Sequence, residues 1–148
     1  VPLADKAEEN FMSLFKVFDI SSSGIAAQSR RLNVTASNLA NAESAGSSEA
    51  QVYKARQVVF QTVGAGRGAK AGEAMVKVSQ VVQDNSPGRR IYDPKHPMSG
   101  EDGYVHYPNV NAVEEMVNML SASRSYQTNV EVMNTTKNLL LKTLQLGN

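Results

Sequence analysis

The side chains that could do chemistry in this 148-residue chain are few and scattered. It has two histidines, His96 and His106, and no cysteine. Disulfides, thiolate metal sites and cysteine nucleophiles are therefore excluded, and a zinc site would need acids drawn from scattered positions. Both histidines stand in turn-rich or short-strand sequence, where a surface imidazole is expected. Gly64, Gly66 and Gly68 alternate with other residues ahead of a β-like stretch. A dinucleotide loop needs G-x-G-x-x-G opening a helix, so a mobile linker over Gly64–Gly72 is the reading. No serine lies in a G-x-S-x-G elbow, and Asp93, Glu101 and Asp102 lack calcium-loop spacing. Arg89 and Arg90 follow Pro87 and Gly88, where they either solvate a turn or grip a carboxylate. No catalytic set, cofactor or metal is implied. The chain reads as a structural protein and not as an enzyme.

The asparagines carry more information. Asn33, Asn38 and Asn41 punctuate one helical pattern and Asn129, Asn134 and Asn138 another. Asparagine is a mediocre helix former. Such clusters either face solvent or hydrogen-bond between helices, fixing register and partner at some cost in stability.

The elements that must position these residues fall into segments 1–11, 12–42, 43–111 and 112–147. Residues 1–11 are polar and read as a disordered extension. Phe11, Leu14, Phe15 and Phe18 lie on one helix face, and the run Asp19–Gly24, with three serines, is expected to interrupt or bend the helix. Phe18, Ile25, Leu32 and Leu39 then recur every seven residues, the spacing of coiled-coil packing. Glu43–Ser48 stops the helix.

At the other end Asn111 is placed to cap a helix, with Glu114 three residues on. No proline or glycine follows until Gly147. A helix over residues 112–146 would span about 50 Å. Its apolar stripe reads Ala112, Met116, Met119, Ser123, Tyr126, Val130, Met133, Leu140 and Leu144, with Lys137 filling the gap. Between the helices, residues 51–63 and 74–82 are rich in β-branched residues and alternate apolar with polar, and Ile91–Tyr92 and Tyr104–Tyr107 could each add a short strand. The fold class is α+β: long N- and C-terminal α-helices packed together in a coiled-coil-like arrangement, with a small β-rich middle region inserted between them.

The net charge of +1 gives no global argument for nucleic acid or an anionic membrane. Residues 51–95 hold eight basic against three acidic residues, a mildly basic middle that is either wet surface or a face for an acidic partner. No stretch approaches the roughly 18 apolar residues of a membrane span, no lipid anchor is expected, and the N-terminus does not read as a signal peptide. A helix this long carries an apolar face it cannot bury alone. Further copies or related chains would cover it. The alternative is a closed helical hairpin, a soluble adaptor binding a single protein partner.

Ser29–Asn41, with Asn38, Leu39, Ala40 and Asn41 at its core, resembles the N-terminal signature of bacterial flagellar rod and hook proteins. Ser121–Asn134, continuing through Leu141–Gly147, is very similar to the proximal-rod members of that family. Val58–Phe60, Val78–Val81, Gly103–Val105 and Pro108–Val110 match their middle. The resemblance covers about residues 12–147, with a family start resembling Met12–Phe15.

It implies a structural subunit of the proximal rod of the flagellar basal body, lying within the periplasm after flagellar type III export without a cleaved signal. Implied partners are other rod subunits, copies of itself and the export apparatus. The terminal helices would line the export channel and the rod would transmit torque. Leu32, Leu39, Met119, Tyr126, Val130, Met133 and Leu140 would be helix-packing positions. Asn38, Asn41, Arg124 and Gln127 would set contacts between neighbouring subunits.

Overall fold

The computed structural model describes residues 3–64 and 74–146, the side chains of 3–11 and 146 excepted. Most of the expected Gly64–Gly72 linker lies outside the described residues. In chain order the elements are helix α1 (Leu3–Ala40), a single 3-10 turn (Glu49–Gln51), strands β1 (Arg56–Gly64), β2 (Ala74–Gln83), β3 (Arg90–Tyr92) and β4 (Tyr104–His106), and helix α2 (Ala112–Leu146). The expected α+β class, terminal helices packed together around an insertion of small antiparallel sheets, is borne out.

Two local expectations are corrected. Helix α1 begins at Leu3, so the backbone of residues 3–11, read as a disordered extension, is helical. It also runs unbroken through Asp19–Gly24. Tertiary contacts override the weak propensity of that run. Ser21 is buried, and Ser23 Oγ donates to the Ile20 carbonyl at 2.7 Å while accepting the Val76 N–H at 3.1 Å. The bond from Val76 ties β2 to α1 at this point.

The chain forms two compact units. One holds the described residues of Val1–Ser29, Phe60–Ser79 and Ser123–Asn148; the other holds Arg30–Val59 and Gln80–Ala122. Each therefore contains a length of α1, a length of α2 and a piece of the β1–β2 pair.

In the second unit α1 ends in turns at Asn41–Glu43, and Gly46 pairs with His106 through bonds of 2.9 and 3.0 Å. Strand β4 is thus flanked by Gly46 on one side and by β3 on the other, in antiparallel register Arg90–His106, Ile91–Val105 and Tyr92–Tyr104. Val105, at the centre, is 1% exposed. Strand β1 starts at Arg56 rather than at Gln51 because residues 49–51 are taken into the 3-10 turn. The strands form two separate two-stranded sheets, β1 with β2 and β3 with β4.

Helix α2 starts where its cap allows. Asn111 Oδ1 accepts the Val113 N–H at 3.1 Å, and Glu114 and Glu115 lie in the first turn, where negative charge suits the helix dipole.

Little large apolar volume is buried. Among the described residues the buried hydrophobic ones are Ala27, Ala42, Ala55, Val105 and Ala122.

Gly103, at φ +76, makes the turn into β4 with the Tyr92 ring over it. An alanine there meets both left-handed strain of about 1–2 kcal/mol and that ring. Gly103→Ala is expected to lower stability in urea unfolding by at least that amount, whereas a control at exposed Glu101 should change it by less than about 0.5 kcal/mol.

Candidate functional site

Two kinds of surface meet on each helix. In the first unit Ser21 and Ala27 are buried, and the backbone at Gly24 lies against the Asn129 side-chain amide. In the second unit Thr35, Asn38 and Ala42 are buried, and Arg31 donates to Asn118 Oδ1 at 3.2 Å. On α2 the buried positions are Ala122 and Thr136. The row that α1 buries is therefore small and polar. Small side chains let two backbones approach closely, and the hydroxyls meet their own helix: Thr136 Oγ1 donates to the Val132 carbonyl at 2.8 Å.

The larger apolar residues lie beside this row. In the second unit Val113, Met116, Val117 and Leu120 are 69, 56, 63 and 54% exposed. Their spacing of three, four and seven residues makes one continuous helical face that is more than half open to solvent among the described residues. In the first unit Met12, Phe15, Leu139, Leu141 and Leu144 are exposed. There Leu14, Phe15 and Phe18 line a groove of about 140 Å³ with Thr136, Lys137 and Leu140.

The second unit is fastened by two asparagine side chains acting as short pieces of strand. Asn38, 1% exposed, donates from Nδ2 to the Arg56 carbonyl at 2.8 Å, while its Oδ1 accepts the Arg56 N–H at 3.0 Å and the Tyr53 hydroxyl at 2.7 Å. Its amide pairs with both backbone groups of the first β1 residue, as a neighbouring strand would. Asn109 accepts the Ala55 N–H at 2.8 Å and donates to the Asp84 carbonyl at 3.0 Å, joining the base of β1 to the end of β2. Asp84 N–H closes the ring onto the Ala55 carbonyl at 2.8 Å.

Three ionisable groups around this base are shifted. Burial raises the Tyr53 hydroxyl above the usual phenol range, partly opposed by nearby Arg56. Hydrogen bonds from the Ser86 backbone and hydroxyl lower Asp84, and the Lys54 ammonium lowers Glu49. Depressed carboxyls favour the fold above their ordinary range and lose that contribution as pH falls through the folded values. The raised phenol favours the fold at lower pH and loses it as pH climbs through its shifted value.

The residues singled out from the sequence are distributed as follows. Asn38 is buried. Ile25, Leu32, Leu39, Asn41, Met119, Val130, Met133 and Leu140 are half-buried, and Phe18, Arg124, Tyr126, Gln127 and Leu144 are exposed. Phe18 and Leu140 come together in the groove. Asn38 does not bond between the helices: its amide turns to residues 53–56. Asn129 bonds its own helix, at the Ser125 carbonyl, and Asn41 bonds the Ser37 carbonyl. Asn109 and Asn118 also reach between segments and were missed. Asn109 carried a signal, standing beside Pro108 where a turn must be held; Asn118, one of many polar residues on α2, carried none.

Arg89 pairs with Glu43 at 2.7 Å and lies over the Tyr107 ring at 4.9 Å, and Arg90 lies over Tyr104 at 5.0 Å. Among the described residues no three His, Asp or Glu side chains gather to hold a metal ion, and no helix is long and apolar enough to cross a membrane.

A fold of two paired terminal helices with uncovered apolar faces is that of an assembly subunit, and the comparisons agree. Residues 18–46 match the family model described as flagella basal body rod protein, and residues 101–146 match that of the flagellar basal body rod FlgEFG protein C-terminal region. Over 136 residues, 92% of this chain and 99% of each relative, the chain is 54% identical to flagellar basal-body rod protein FlgC of Yersinia enterocolitica and 52% identical to that of Salmonella typhimurium. The FlgC of Buchnera aphidicola subsp. Acyrthosiphon pisum is 44% identical over 138 residues. The chain belongs to the FlgC family of flagellar basal-body rod proteins.

Asn38→Ala strips partners from the Arg56 N–H, the Arg56 carbonyl and the Tyr53 hydroxyl at a site closed to water. A loss of about 2–4 kcal/mol in urea unfolding is expected. Asn38→Asp should cost more at pH 7 than at pH 5. The ionised carboxylate faces the Arg56 carbonyl, so its folded pKa is raised, and the protonated acid regains both donor and acceptor.

Proposed function

We propose that this chain is a structural subunit of the proximal flagellar rod, joining copies of itself and related rod subunits through its terminal helices. The observation that carries the reading is the face Val113, Met116, Val117 and Leu120, which is apolar, continuous and open. Covering it contributes roughly 25 cal/mol for each Å² of apolar surface removed from water. The membership in a family of rod proteins supplies the kind of neighbour that would cover it.

In this reading the small polar row holds the helices together, and the larger apolar residues beside it make contact between subunits. Ile25, Leu32, Leu39, Met119, Val130, Met133 and Leu140, each half-buried, complete their burial against neighbours, with Phe18, Tyr126 and Leu144 at the margins. Exposed Arg124 and Gln127 and half-buried Asn41 supply polar contacts. A head-to-tail contact repeated about an axis builds a rod, where a two-fold contact would close as a dimer. The work of such a rod is mechanical, carrying torque while its inner helices line an export channel. Passage to the periplasmic rod by flagellar type III export follows from the same family reading.

The rival is a soluble helical hairpin that binds one partner. Val117→Ser combined with Leu120→Ser separates them, because both side chains are more than half exposed. The free protein's stability should stay within about 0.5 kcal/mol of wild type for each exposed substitution, while basal bodies isolated from cells carrying the variant lack complete rods. Complete rods at wild-type number would contradict the proposal.

A further inference from the structure

We propose that Gly24 and Asn129 are a matched pair that fixes the axial register of α1 against α2 in the first unit. Gly24 is the one glycine within α1, and α2 has none. Glycine is the weakest helix former after proline, so its place inside a 38-residue helix needs a reason. The reason is the amide opposite. A Cβ added at Gly24 would stand 2.9 Å from Asn129 Nδ2, 3.1 Å from Cγ and 3.2 Å from Oδ1. All three heavy atoms of the amide lie against the glycine, so the flat side chain rests directly on the α1 backbone.

Asn129 is not free to swing away. Its Nδ2 donates to the Ser125 carbonyl at 2.9 Å, which holds the amide where it meets Gly24. Ser21 and Ala27, on either side of Gly24, are 4 and 3% exposed, so the close approach is a property of the whole row. Small residues alone would let two helices slide. A slip of one turn, about 5.4 Å, would set the Asn129 amide against a residue that has a Cβ, and only one position in α1 lacks one. The pair is therefore a notch and a tooth. Register decides which side chains lie side by side along the helix pair. Resting on the assembly reading, the inference is that neighbours recognise this one alignment of the apolar residues.

The full-length chain, which has no cysteine, allows a direct test with spin labels on cysteines placed at exposed Ser22 and Glu131. Alanine at position 24 improves helix propensity, so a loss in Gly24→Ala could not come from the helix itself. Gly24→Ala is expected to shift the label distance or split it into two populations. Gly24→Ala combined with Asn129→Ala, which clears the space, should restore one distance close to that of wild type. Basal bodies with complete rods should fall about tenfold in Gly24→Ala and recover in the double variant, an interaction of the size that contacting residues show.

An unchanged distance in Gly24→Ala would overturn the inference, as would a double variant no closer to wild type than the single one. If the labels shift and recover while rods form normally throughout, the register pair stands and the assembly reading falls. If the labels never move but rods are lost in the Val117→Ser, Leu120→Ser variant, the register pair falls alone.

Discussion

Two long helices can lie close together only where the side chains between them are small. That constraint governs the rest of this structure. Serine, alanine, threonine and asparagine fill the buried row of α1, and they bring little apolar area out of water. The hydrophobic term, usually the largest favourable contribution to a fold, is correspondingly thin within the chain. Most large apolar side chains of the helices are left at the flanks, exposed or half-exposed among the described residues. Assembly is thus a consequence of which residues occupy the seam.

The second unit meets the same shortage by other means. A two-stranded sheet is marginal by itself, and both sheets here are two-stranded. The base of the β1–β2 pair is held by side-chain amides that imitate strand partners. Asn38 pairs with both backbone groups of Arg56, and Asn109 bridges Ala55 and Asp84. Asn38 thus belongs to the family signature at the end of α1 and also starts the first strand. Surface ion pairs such as Arg89–Glu43 add little in comparison, since an exposed pair is worth at most about 1 kcal/mol.

Much of the fold was legible in the sequence. The cap at Asn111, the unbroken pattern after it and the alternation around Val76 and Val78 each rest on local chemistry, and α2 and β2 follow them. What could not be read locally was decided by contacts distant in sequence. The serines before Gly24 look like a break until Ser23 is seen holding Val76 and the seam closing over Ser21. The seven-residue row Phe18, Ile25, Leu32 and Leu39 looks like the seam by its period. Periodicity, however, reports that a face is apolar and not which molecule covers it. The buried row lies beside it at Ser21, Ala27, Thr35 and Asn38, with half-buried Gly24 among them, and these side chains carry little hydrophobic signal. Asn38 reads as an inter-helix or inter-subunit contact, yet its partners sit 15 and 18 residues away in a segment whose path α1 alone does not set.

If neighbouring subunits cover the apolar faces, those faces must change their access to solvent between the free chain and the rod. Cysteines placed singly at Val113, Val117 and Leu120 report this through their rate of reaction with a water-soluble maleimide, read on this chain, which has no cysteine of its own. Fast labelling in the purified chain and strong protection at all three positions in isolated basal bodies is the expected result. Equal labelling rates in the two states would show that the open face stays open, and would contradict assembly through the terminal helices.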